Sequence, residues 1–217
     1  MKVVLIHGLA RTSLSLRGLD QHLKRAGFTP EHFGYFAFAE PFDKIVGRLI
    51  RRLQQLRGPY AVVAHSLGGL LIRAALGQAQ QDPEHRDPEH IVMLGTPNQQ
   101  PRLALYAWRA LPFRWFTGQC GFNLTCPEFF ETLPKVRSPY TLIAGTAGPR
   151  GAWSPFGNEI NDGIVALSET WLDSTDKLQI CGSSRCIQLP VWHTFMMNNP
   201  AVQAAVVQAL LASDSQA

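Results

Sequence analysis

The sequence predicts an α/β fold, a mostly parallel sheet of about six strands with helices on both faces. Short runs rich in β-branched and aliphatic residues alternate with segments of helical period, which is the pattern of strands joined by crossover helices. The runs Val3-Val4-Leu5-Ile6 and Ala61-Val62-Val63-Ala64 are apolar throughout, as strands buried on both faces must be. A length of 217 residues suffices for one sizeable core, so a single domain over 1–217 is expected.

In chain order, strands are expected at about 2–6, 31–38, 60–64, 90–94, 140–144 and 185–189. Helices fit between and after them at about 13–26, 41–56, 67–78 and 200–212, with Pro41 suited to a first turn. The second helix carries Ile45, Leu49, Leu53 and Leu56 on one face, with Arg48, Arg51 and Arg52 between them. It reads as an amphipathic packing helix whose arginines form a solvated face.

Two regions interrupt the alternation. Asp-Pro-Glu-His occurs twice, at 82–85 and 87–90, and reads as a polar surface loop in preference to a site for a metal ion. The segment of about 98–137 is too long for a simple connection and holds eight of the chain's 21 aromatic side chains. It is expected to be a helical, aromatic-rich insertion forming a cap or lid, in which Trp108, Phe113, Trp115 and Phe116 shield an apolar substrate from water. The competing expectation is an insertion that packs only on the body of the fold.

The formal net charge of +4 comes from scattered Lys and Arg residues, and no nucleic-acid-binding motif accompanies them. No nucleic-acid partner is expected. Only Met1 and Lys2 precede the run Val3–Ile6, which His7-Gly8 ends, short of the roughly 7–15 apolar residues of a secretory signal. No apolar run approaches the roughly 18 residues of a spanning helix. These features predict a cytoplasmic chain without stable membrane insertion. Cysteines fall as the close pairs Cys120/Cys126 and Cys181/Cys186, which an oxidising compartment could join; without an export signal, free thiols are the simpler reading. Their spacing does not suit zinc, and no phosphate-cradling glycine motif is present. Neither metal nor cofactor is expected.

The chemistry concentrates at Tyr60-Ala61-Val62-Val63-Ala64-His65-Ser66-Leu67-Gly68-Gly69. An apolar strand ends in a serine flanked by small residues at −2 and +2, and a helical pattern follows at once. This is the nucleophile-elbow arrangement, where a sharp turn lifts the hydroxyl above the sheet and leaves no room for large flanking side chains. Ala64 stands where Gly is commoner, a mild change of one methyl.

With Val3-Val4-Leu5-Ile6-His7-Gly8, Asn161-Asp162-Gly163-Ile164-Val165 and Leu189-Pro190-Val191-Trp192-His193-Thr194-Phe195 in the same order, the chain resembles the small bacterial lipase-like serine esterases of the α/β-hydrolase superfamily. The resemblance implies that fold, and an oxyanion hole made by the backbone N–H groups of Leu9 and Leu67. Gly8 lets the chain turn after the first strand, and His7 is expected to orient this loop and to take no part in proton transfer.

A serine hydroxyl needs a base to take its proton. Of seven histidines, His193 alone lies between the last strand and the last helix, at the edge where the serine stands; His65 is expected to point away from the site. Asp162 precedes His193 and follows Ser66, the Ser…Asp…His order of this fold, and would fix the imidazole tautomer. Glu159, Asp173 and Asp176 are reserve acids. The expected reaction is cleavage of a small-molecule ester or lipid-like substrate through an acyl-serine intermediate. Acyl transfer and thioester or amide cleavage are alternatives on the same residues, and a non-catalytic binding protein is the alternative outside the enzyme class.

Overall fold

The computed structural model describes residues 1–80, 82–83, 85–172, 180–181 and 184–214. Seven strands form one sheet: β1 (Lys2–Ile6), β2 (Thr29–Phe33), β3 (Tyr60–His65), β4 (His90–Leu94), β5 (Tyr140–Gly145), β6 (Ile180–Cys181) and β7 (Ser184–Leu189). Their order is β2-β1-β3-β4-β5-β7-β6. The six longer strands run parallel, and short β6 pairs antiparallel with β7.

The helices are α1 (Arg17–Arg25), α2 (Phe42–Gln54), α3 (Leu67–Ala79), α4 (Arg102–Ala107), α5 (Leu111–Asn123), α6 (Pro127–Thr132), α7 (Leu167–Thr170) and α8 (Pro200–Asp214). Alternate side chains of the strands feed two cores. Val3, Leu5, Val63, Val92 and Ile143 pack with α1 and α8 on one face, while Val4, Ile6, Val62, Met93 and Leu142 pack with α2 and α3 on the other. Burial on both faces explains why the runs Val3–Ile6 of β1 and Ala61–Ala64 of β3 carry no alternating polar residues.

After β1 the chain moves outward to β2 and then returns to place β3 on the other side of β1. The carboxyl ends of β1 and β3 therefore flank a reversal of strand order, the place where such sheets open a binding crevice. His7-Gly8 and Ser66 follow those two ends.

The strand expected at 31–38 ends early, at Phe33. Phe33, Tyr35 and Ala37 are buried while Phe36 and Phe38 are exposed, so alternation continues beyond the sheet and imitates a longer strand. Past Phe33 the chain turns over the end of β1 instead, where the Tyr35 hydroxyl donates to the His7 carbonyl at 2.7 Å and its ring stacks on His7.

The insertion is helical, as expected, but α5 is broken at Gly118, whose φ of 53° is outside the helical range. A Cβ at that position would lie 3.0 Å from the Phe38 carbonyl oxygen. One side of the insertion packs on the body, through Phe42 against Phe129 edge-on at 5.0 Å and through buried Cys120, Leu124, Phe130 and Leu133. Cys120 and Cys126 are free thiols. The expectations placed on the Cys181 side chain and on Asp173 and Asp176 lie outside the described residues. No helix among the described residues is long and apolar enough to cross a membrane.

Candidate active site

β3 ends at His65 and α3 begins at Leu67, so Ser66 alone makes the turn, with φ 52° and ψ −121°. Such a backbone is costly for a residue with a Cβ. Its N–H donates to the Leu94 carbonyl at 2.9 Å, which ties the turn to β4. The small neighbours have a steric cause: a Cβ at Gly68 would stand 2.7 Å from the Ile6 carbonyl oxygen, and one at Gly69 would stand 2.1 Å from Thr96 Oγ1. Ala64 fits with no exposed surface.

Among the described residues, the one other non-glycine with positive φ is Ala10, at 52°. It follows Leu9 in the turn after β1. The strain of the chain is thus spent at two points on the rim of one cavity, since Ala10 and Ser66 both line it. Leu67 is the first residue of α3, so its N–H is a helix-start donor without an intrahelical acceptor. Leu9 lines the cavity directly.

Asp162 and His193 form a buried pair, 1% and 4% exposed. Oδ1 of Asp162 accepts the N–H groups of Ile164 at 3.0 Å and Val165 at 2.7 Å. Oδ2 lies 2.7 Å from His193 Nδ1, and the His193 N–H donates to the Asp162 carbonyl at 2.9 Å. A carboxylate only accepts, so Nδ1 carries the proton and Nε2 is left with its lone pair. Gly95 supports the pair from below with φ 55°, and a Cβ there would come 2.9 Å from His193 Nδ1 and 3.1 Å from Asp162 Oδ2. Ser66 and His193 line the same cavity, although no hydrogen bond joins them among the described residues. Contacts of this kind commonly tighten only when substrate is bound.

The cavity measures about 570 Å³ and its wall is chiefly apolar. From the insertion come Pro101, Leu103, Ala104, Ala107, Phe113 and Phe116, and from the loop that carries Asp162 come Ile164 and Val165. The expectation for the aromatic residues needs correction. Phe113 and Phe116 line the cavity, whereas Trp108 and Trp115 do not. Trp115 is 79% exposed, and Trp108 packs against Phe113 and Phe122 beneath the Arg114 guanidinium.

His65 also departs from expectation. Its ring turns toward the site, 4.9 Å from the His193 ring, and Nε2 donates to the His193 carbonyl at 3.1 Å. Burial, and then the neighbouring His193, hold its pKa well below the usual histidine range, so it braces the His193 backbone in the neutral form. Among the described residues its Nδ1 has no hydrogen-bond partner, and a Cβ on Gly8 would come within 2.7 Å of that atom. His7 stacks on Tyr35 and lies 2.9 Å from the Gly8 carbonyl through Nδ1; burial lowers its pKa. The other four histidines do not line the cavity. Glu159 is bound to Arg102 and Ser168.

Sequence reasoning missed Arg73, a lone cation in the apolar helix α3. Its guanidinium is buried and donates to Asn98 Oδ1 at 3.1 Å, to the Leu133 carbonyl at 3.3 Å and to the Pro134 carbonyl at 3.4 Å. It holds together the two ends of the insertion. A single Arg inside a helical run of Leu, Ile and Ala was the available signal. No cluster of three or more His, Cys, Asp or Glu side chains suited to a metal occurs among the described residues.

Comparison with known proteins agrees with this architecture. The sequence profile of the alpha/beta hydrolase family matches residues 3–213, and the chain belongs to that family. No curated protein matches it by sequence. Among solved structures it is similar to a monoacylglycerol lipase of Paleococcus ferrophilus, with 16% identity, TM-score 0.67, and coverage of 98% of this chain and 94% of that one. It is similar to a lipase of Bacillus licheniformis in propeptide form, with 18% identity, TM-score 0.65, and coverage of 97% and 50%. A tomato methylketone synthase complexed with 2-tridecanone shares 13% identity at TM-score 0.60, with coverage of 99% and 98%. These likenesses establish the fold, and the fold hosts more than one chemistry.

Proposed function

We propose that this hydrolase-family chain is a lipase-like serine esterase that cleaves carboxylic esters with an apolar acyl group through an acyl-serine intermediate. The observation that carries the reading is the buried Asp162–His193 pair, 2.7 Å apart, on the same apolar cavity as the strained Ser66. Ser66 Oγ attacks the ester carbonyl as His193 Nε2 takes its proton, and Asp162 stabilises the imidazolium that results. The N–H groups of Leu9 and Leu67 hold the oxyanion; one such donor is worth about 2.7–4 kcal/mol. Collapse expels the alcohol, which receives the proton from His193. Water then attacks the acyl-serine with His193 as base, the carboxylic acid leaves, and Ser66 regains its proton. The scheme uses neither metal nor cofactor.

In this reading residues 1–217 form one domain, with about 98–137 as its cap, and the cap residues that line the cavity receive the acyl chain. The small-molecule substrate is an ester or lipid-like ester, in keeping with the monoacylglycerol lipase named among the structural neighbours. A fluorophosphonate probe tests the nucleophile. Labelling should occur on the wild type and vanish in Ser66→Ala and His193→Ala. Persistent labelling of Ser66→Ala would remove Ser66 from its role. A matched set of ester, thioester and amide substrates tests the bond cleaved, and the ester should react fastest.

A further inference from the structure

Among the described residues, and apart from histidines, Arg11 is the one charged side chain that lines the cavity. It follows directly on the Leu9–Ala10 turn, and its guanidinium carbon stands 5.7 Å from the centre of the Phe195 ring. Phe195 lies two residues beyond His193, in the 3₁₀ segment His193–Asn198. The cation is therefore flanked by the turn proposed to hold the oxyanion and by the segment that carries the base.

Three arginines elsewhere are paired with carboxylates, Arg48 with Glu40, Arg52 with Glu31, and Arg102 with Glu159 and Glu169, and buried Arg73 is held by carbonyl oxygens. Arg11 has no carboxylate within ion-pairing distance among the described residues. A guanidinium stays charged at any working pH, and an apolar wall gives it no counter-charge. What would complement it is an anion brought in by the substrate.

The residues that line the cavity decide where that anion must sit. The wall built by Leu103, Ala104, Ala107, Phe113, Phe116 and Leu124 carries no charge, so a charged group there would lose its hydration without compensation. The leaving alcohol must lie against His193, which protonates it, and Arg11 stands near that residue, over the ring of Phe195 two positions beyond it. We propose that Arg11 is a specificity-determining residue that selects esters whose leaving alcohol bears a carboxylate or a phosphate. The proposal rests on the ester-hydrolase reading.

The test compares esters of one acyl chain in pairs: p-nitrophenyl butyrate with its ring-carboxylated analogue, and a monoacylglycerol with the corresponding acylglycerol phosphate. Wild type should favour the anionic member of at least one pair by about tenfold or more in kcat/KM, the scale of one charge-assisted hydrogen bond, and the responding pair identifies the anion. The preference should shrink as salt rises. Arg11→Gln should erase the ratio chiefly through KM, Arg11→Lys should keep part of it, and Arg11→Glu should reverse it. Wild type that cleaves neutral and anionic members equally would overturn this proposal and leave the esterase reading standing. Wild type that cleaves no ester would overturn both.

Discussion

The Asp162 carboxylate is divided between two tasks: Oδ1 is taken by the N–H groups of Ile164 and Val165, and Oδ2 faces His193 Nδ1 at 2.7 Å. An Asn at this position would keep its oxygen on the two amides and turn its NH₂ toward His193. Nδ1 would then have to accept, and the proton would move to Nε2, where it blocks the base. Asp162→Asn is therefore expected to lower kcat about 10⁴-fold, with an unchanged circular dichroism spectrum and a nearly unchanged melting temperature. Near-normal turnover would show that the pair does not serve catalysis.

His65 predicts a stability effect with a definite sign. Burial holds its folded-state pKa well below the ordinary value near 6.5, so above that value both folded and unfolded chains are neutral there and the residue adds no pH dependence. As pH falls below about 6.5 the unfolded chain takes up a proton that the folded chain refuses, and stability is lost until the folded pKa is reached. Urea unfolding of the wild type should weaken more steeply between about pH 7 and pH 5 than that of His65→Gln, by up to about one proton. Equal slopes for the two proteins would contradict the assignment of His65 as a neutral brace.

The sheet and the elbow were legible because their causes are local. A strand buried on both faces writes an unbroken apolar run, and the crowding of α3 against β1 and Thr96 writes Gly68 and Gly69. Asp162 and His193 were legible from their place in the chain order, and the structure brings them together. What was illegible depended on long-range packing. Tyr35 to Phe38 alternate like a strand, but the alternation serves a turn over His7. Composition counted the aromatics of the insertion, yet the break at Gly118 and the packing of Trp108 against Phe113 and Phe122 decide which of them face the cavity. The turn of the His65 ring toward the His193 carbonyl has no sequence signal at all.

That distinction within the insertion is itself testable. Phe113 lines the cavity and Trp115 is exposed to solvent, so truncating them should separate. Phe113→Ala removes apolar surface from the cavity wall and is expected to lower kcat/KM for a long-chain ester relative to a short-chain one by about tenfold, from roughly 1.5 kcal/mol of lost burial. Trp115→Ala should leave that chain-length ratio unchanged. A chain-length profile that shifts for Trp115→Ala and not for Phe113→Ala would reverse the assignment.

Arg73 connects the body of the fold to both ends of the insertion, and burial pushes its guanidinium pKa down to about 10. It remains charged at neutral pH, so the cost of burying it is met by carbonyl oxygens: those of Asn98 at the start of the insertion, and those of Leu133 and Pro134 at its end. Asn98 in turn donates to the Thr170 carbonyl at 2.7 Å, and Pro134 packs so closely on α3 that a Cβ at Gly77 would stand 2.1 Å from its ring. Arg73→Ala would strand several buried acceptors at once, at a cost of about 3 kcal/mol and a fall in Tm of roughly 6–12 °C. Because the lost contacts lie at the roots of the insertion, limited proteolysis of Arg73→Ala should cut first within 98–137, earlier than in the wild type. Arg73→Lys carries the charge but lacks the planar fork needed to reach both ends, and should fall between the two. A variant that melts early yet resists cleavage in 98–137 as well as the wild type does would limit Arg73 to general stability and separate it from the insertion.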